Sequence, residues 1–205
     1  MTIRAWFPTF VYDAPLLKAG GAAFARELLA ESRRIREHDA EGRNWCRKNY
    51  PAGYTSYASL CRLHKAFSTF TRLETLLRPH VDAFARRLDW NLGAGRLRMT
   101  DCWVNVMPRG AAHGLHLHPL SVLSGTYFVK TPRGCSKIRL EDPRLDKFMA
   151  APPRRASCRP KNLQHVTYPA EAGRVILFES WLRHEVGPNP AGAERVSVSF
   201  NYDWA

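Results

Sequence analysis

The chain has 205 residues, 45% hydrophobic and 24% charged, which suits one globular domain with a substantial core and leaves too little length for two. Its formal net charge of +13 fits an acidic partner or substrate, but the basic residues are scattered (Arg33, Arg34, Arg36, Arg86, Arg87, Arg154, Arg155) and form no recognised nucleic-acid motif. A membrane span has no support, since no apolar run approaches roughly 20 residues. Met1 to Pro8 lack the apolar core of an export signal, and the five cysteines form no CxxC pair, so a zinc ribbon or disulfide scaffold is equally unsupported and a reduced, cytoplasmic protein is expected.

In chain order, the first half reads as helical support over residues 1–95. Leu16, Leu17, Phe24, Leu28 and Leu29 recur at helical spacing, and Asp13-Ala14-Pro15 supplies a capping residue and a first-turn proline. Trp45 to Leu63, rich in Tyr, Ser and Gly, reads as loop with short strands or helical turns. A second amphipathic helix is predicted from about Phe70 to Leu88, with Leu73, Leu76, Leu77, Val81, Phe84, Ala85 and Leu88 on one face. After Gly93-Ala94-Gly95 the runs become short and rich in β-formers: Cys102 to Val106, Gly125 to Val129, Arg174 to Phe178 and Arg195 to Phe200. Helices followed by several short strands predict an α+β fold whose strands over 96–205 close into a sandwich or barrel, all within one domain. Pro143 to Pro169 is expected to be a long surface excursion, with Arg154, Arg155, Arg159 and Lys161 available as a substrate lid.

His116-Leu117-His118 is the first feature that carries chemistry. In an extended segment residues two apart share a side, so both imidazoles can converge on one ion, with His184 arriving from a distant strand. His113 is the weaker alternative as a ligand, since three residues before His116 it is expected on the opposite strand face. In the last strand Arg195, Ser197, Ser199 and Asn201 alternate with Val196, Val198, Phe200 and Tyr202. One face is therefore apolar, and the other offers an arginine fork beside a hydroxyl, an arrangement that grips a carboxylate.

The stretches Arg174-Val-Ile-Leu-Phe-Glu-Ser-Trp-Leu-Arg-His184-Glu-Val-Gly-Pro and Glu194-Arg195-Val-Ser197-Val-Ser-Phe-Asn resemble the C-terminal half of the iron(II)- and 2-oxoglutarate-dependent oxygenases, most closely the prolyl-hydroxylase-like branch. His116-Leu-His118-Pro, Leu123-Ser-Gly-Thr-Tyr127 and Tyr54-Thr-Ser-Tyr57 further resemble a small bacterial subgroup of that superfamily. The resemblance implies a double-stranded β-helix (a cupin-like jelly roll with N-terminal supporting helices), Fe(II) and 2-oxoglutarate as cofactors, and O2 as co-substrate. It also implies hydroxylation of a C–H bond with release of succinate and CO2. Carried onto this chain, it implies His116 and His184 as metal ligands and Arg195 with Ser197 as the anchor of the far carboxylate, with Tyr127 and Asn105 as further cofactor contacts.

One position departs from the pattern. The superfamily usually has a carboxylate two residues after its first histidine, and here that residue is His118. Either His118 is the third ligand, or Asp101, Glu141, Asp142 or Glu179 completes the set, or activity has been lost. Two rival readings are a three-histidine cupin dioxygenase that needs no 2-oxoglutarate, and a basic jelly-roll binding module without catalysis. The cupin motif is incomplete, since Ser121, Val122 and Leu123 stand where its glutamate belongs.

Overall fold

The computed structural model describes all 205 residues. In chain order the elements are β1 (Val11–Pro15), α1 (Gly21–His38), α2 (Ala40–Asn49), β2 (Tyr54–Thr55), α3 (Leu63–Ala66), α4 (Ser68–Arg87), β3 (Leu97–Met107), β4 (His113–His116), β5 (Leu123–Lys130), β6 (Ile138–Glu141), α5 (Asp146–Met149), β7 (His165–Tyr168), β8 (Arg174–Glu179), β9 (His184–Val186) and β10 (Arg195–Trp204). The strands form a six-stranded sheet in the order β1-β8-β5-β10-β3-β2 and a four-stranded sheet in the order β4-β9-β6-β7. Every pairing is antiparallel. From β3 onward the chain passes between the sheets at nearly every step, staying in the smaller sheet only for the β6–β7 hairpin. This is the double-stranded β-helix that the family resemblance implied.

The larger sheet is covered on one side by helices. Phe24 of α1 meets Tyr127 of β5, and Phe84 of α4 meets Tyr12 of β1, with ring centroids 6.4 and 6.1 Å apart. Leu73, Leu77, Val81, Phe84 and Ala85 are the buried stripe of α4, as their spacing requires. No helix is long and apolar enough to cross a membrane.

Three local expectations need correction. Asp13-Ala14-Pro15 does not cap a helix but ends β1, and α1 begins at Gly21. β1 is an edge strand paired only with β8, and the edge of a sheet tolerates a proline. Trp45 to Asn49 is the second half of a ten-residue helix, α2, rather than loop with isolated helical turns. Pro143 to Pro169 is a surface excursion over most of its length, but its end pairs with β6 as β7.

Candidate metal and cofactor site

The site lies between the two sheets, in a cavity of about 550 Å³. Register decides which side chains reach it. In β10 paired with β3, Arg195 faces Met107, Ser197 faces Asn105, Ser199 faces Trp103 and Asn201 faces Asp101. On the other flank Ser199 pairs with Thr126 and Asn201 with Ser124. Cross-strand partners share a face, so the polar face of β10 looks into the cavity while Val196, Val198 and Phe200 lie in the core. Asn105 also reaches the cavity, donating from Nδ2 to Ser199 Oγ at 3.0 Å. Tyr127 does not. It pairs with Val198, one residue out of phase with the inward set, and packs against Phe24 under the helices. The expectation that Tyr127 contacts a cofactor is therefore corrected by the pleat of the strand.

His116, His118 and His184 meet. Each offers a ring nitrogen, and these atoms lie within 4.8 Å of one another. His116 and His184 are cross-strand partners in β4 and β9. His118 stands two residues past the end of β4, held by its backbone N–H to Ser180 O at 3.0 Å. Each ring has Nδ1 beside an oxygen: Gly114 O at 2.7 Å for His116, Asn201 Oδ1 at 2.6 Å for His118 and Leu182 O at 2.9 Å for His184. A protonated Nδ1 in each leaves Nε2 with a free lone pair, the form of imidazole that binds metal. Burial first, then the neighbouring His116, pushes His184 down to about 3. Burial likewise pushes His118 down to about 4, against the Asn201 hydrogen bond that raises it. His118 and His184 are therefore neutral at pH 7, the form that fits a divalent ion.

No carboxylate joins this group. Asp142 is engaged by Arg144 and Lys147, and Glu141 by Arg183 and His165. Asp101 reaches only as far as Asn201 Nδ2, at 3.4 Å. His113 contradicts its expected orientation. A register shift between His113 and His116 turns both rings toward the cavity, with centroids 6.1 Å apart. Its Nε2 is buried without a partner, and Tyr50 meets its ring edge-on at 4.4 Å.

At the other end of the cavity Arg195 is 2% exposed and forms no salt bridge. Its Nη1 touches only Met107 Sδ and Ser197 Oγ, each at 3.3 Å, and its Nε has no partner. Burial lowers its pKa to about 10. Tyr50, at the end of α2, adds a buried, unpartnered hydroxyl to the same cavity. Sequence reasoning missed Tyr50 and set His113 on the wrong side of its strand. Asp39 ahead of Ala40-Glu41 was the available signal for α2, while the bulge in β4 left no trace in the residue pattern. None of Arg154, Arg155, Arg159 and Lys161 lines the cavity.

A jelly roll that gathers three imidazoles at one point and holds an unpaired cation in the same chamber defines a class of metal-dependent enzyme using an anionic co-substrate. Residues 101–201 match the model of the family described as "Putative 2OG-Fe(II) oxygenase". The chain belongs to the 2OG-Fe(II) oxygenase superfamily, whose cofactors are iron(II) and 2-oxoglutarate. No curated protein matches the sequence. Among solved structures, the fold is similar to a prolyl-4-hydroxylase of Pseudomonas putida (TM-score 0.61, 16% identity, 95% of this chain and 92% of that one). It is also similar to the α-ketoglutarate-dependent epimerase SnoN of nogalamycin biosynthesis (0.64, 20%, 95% and 76%). A third is HygX of Streptomyces hygroscopicus with nickel and 2-oxoglutarate bound (0.60, 14%, 95% and 83%).

Proposed function

We propose that this oxygenase is a hydroxylase in which His116, His118 and His184 hold iron(II) and Arg195 with Ser197 anchors 2-oxoglutarate. The observation that carries the reading is Arg195, a guanidinium buried in the metal chamber with no anion beside it. A buried, unpaired charge is costly, and a bound carboxylate is the group that best offsets it. When bound, iron and 2-oxoglutarate together turn O2 into an oxidant for a C–H bond, releasing succinate and CO2. The protein's part is to hold and exclude. Ser197 shares the guanidinium and orients it, Asn105 keeps an unpartnered Oδ1 for a donor, and Phe128 backs the arginine at 5.3 Å.

The substrate enters past a rim of Trp45, Tyr57, Leu115 and Leu117, all partly exposed, beside Trp103. The lining contains no Asp, Glu or Lys, and its only permanent cation is the buried Arg195. The oxidised end of the substrate is accordingly uncharged, in contrast to the acidic substrate that overall charge suggested, and any acidic portion lies outside the chamber. A cytoplasmic setting suits the five unpaired cysteines. The test is an anaerobic titration of the purified protein with Fe(II) and 2-oxoglutarate. A visible charge-transfer band that needs both components is expected. Iron binding without that band would favour the three-histidine cupin chemistry instead.

A further inference from the structure

We infer that Asn201 is a positioning residue for the metal centre: with Asp101 and Ser124 behind it, it aims the histidine that stands where the superfamily has a carboxylate. This rests on the reading of His118 as a ligand. His116 and His184 take their Nδ1 partners from the backbone, the carbonyls of Gly114 and Leu182 two residues earlier, which any side chain at those positions would leave in place. His118 lies beyond β4, and its Nδ1 meets a side chain instead, Asn201 Oδ1 at 2.6 Å. Its aim therefore depends on one replaceable residue.

The surroundings fix which way the amide points. Asn201 Oδ1 accepts the Ser124 hydroxyl at 2.9 Å, and Nδ2 donates to Asp101 Oδ2 at 3.4 Å. Asp101 also accepts from Thr100 Oγ1 at 3.0 Å. An ionised carboxylate only accepts, so the NH2 belongs on its side and the oxygen belongs on the side of His118. His118 must then donate from Nδ1, which leaves Nε2 bare toward the other two histidines. Strand register builds this chain of contacts, because Asn201 is the cross-strand partner of both Asp101 and Ser124. The irregularity in β10 between Asn201 and Tyr202 falls immediately after it, and such breaks re-aim side chains. Asp101, a carboxylate outside the ligand set, thus lies two hydrogen bonds behind His118.

Cobalt(II) titration of the full-length protein tests this, read by affinity and by the visible ligand-field spectrum. Asn201→Leu keeps the volume and removes the acceptor. It is expected to weaken Co(II) binding about 10- to 100-fold, the usual cost of losing such an outer partner, and to alter the spectrum. Exchanging the two groups, Asn201→Asp with Asp101→Asn, is expected to restore the wild-type affinity and spectrum. In a His118→Asp background, Asn201→Leu should cost little, because a carboxylate ligand has no Nδ1 to direct. Equal losses from Asn201→Leu in both backgrounds, or no rescue by the exchange, would overturn the inference. Tight Co(II) binding by His118→Ala would instead overturn the ligand reading on which it stands.

Discussion

Arg195 shows how one residue can serve function at the expense of stability. Its charge sits in the core with weak partners, and folding gains nothing from it until an anion arrives. Arg195→Met keeps most of the volume and removes the charge. Two opposite outcomes are expected. Binding of 2-oxoglutarate, measured calorimetrically with Ni(II) in place of iron, should weaken at least about tenfold, as befits the loss of charge-assisted hydrogen bonds. The melting temperature of the metal-free protein should stay level or rise. Unchanged 2-oxoglutarate affinity would show that the carboxylate lies elsewhere in the cavity.

At the scale of elements, α2 matters because it carries Trp45 and Tyr50 to the cavity wall. Its start is built around Asp39, which accepts from Gly42 N at 2.8 Å, Tyr54 Oη at 2.8 Å and Ser59 Oγ at 2.6 Å. The first caps the helix, and the other two tie it to β2 and to the loop that holds Tyr57. Glycine inside a helix ordinarily loses about 0.5–1 kcal/mol relative to alanine. At Gly42 the sign should reverse, because an added Cβ would overlap the Asp39 carboxylate and lie 2.5 Å from Ser59 Oγ. Gly42→Ala is expected to lower stability by about 1–3 kcal/mol, the range for overpacking a filled site, in urea unfolding. A stabilised variant would show that the Asp39 cluster gives way readily.

For the whole molecule, gathering neutral histidines between two sheets makes stability depend on pH. An unperturbed histidine titrates near about 6.5, whereas His118 and His113 sit at about 4 and His184 at about 3, chiefly through burial. Below pH ~6.5 the unfolded chain therefore binds protons that the folded chain refuses, and stability falls until the folded values are reached. The metal-free protein should melt at a lower temperature at pH 5 than at pH 7.5. Bound divalent metal should move that loss to lower pH, since protons and metal compete for the same nitrogens. Scanning calorimetry with and without Ni(II) checks both, and superimposable curves would contradict the burial of the histidines as neutral rings.

The residue pattern alone was enough for short strands closing into a sandwich or barrel, for the grouping of His116 and His118 with a distant His184, and for the polar face of β10, while the double-stranded β-helix followed from the family resemblance. Period-two alternation and histidine spacing are local properties, and they survive in any fold that makes those segments extended. Which face looks inward was not local. Tyr127 and Thr126 are neighbours with equal claims, and only the register with Val198 and Ser199 sends one to the helices and the other to the cavity. The bulge that turns His113, the helix that delivers Tyr50 and the contact between His118 and Asn201 likewise join residues far apart in the chain. Such contacts arise from the packing of two sheets against one another, and the order of residues along one strand does not encode them.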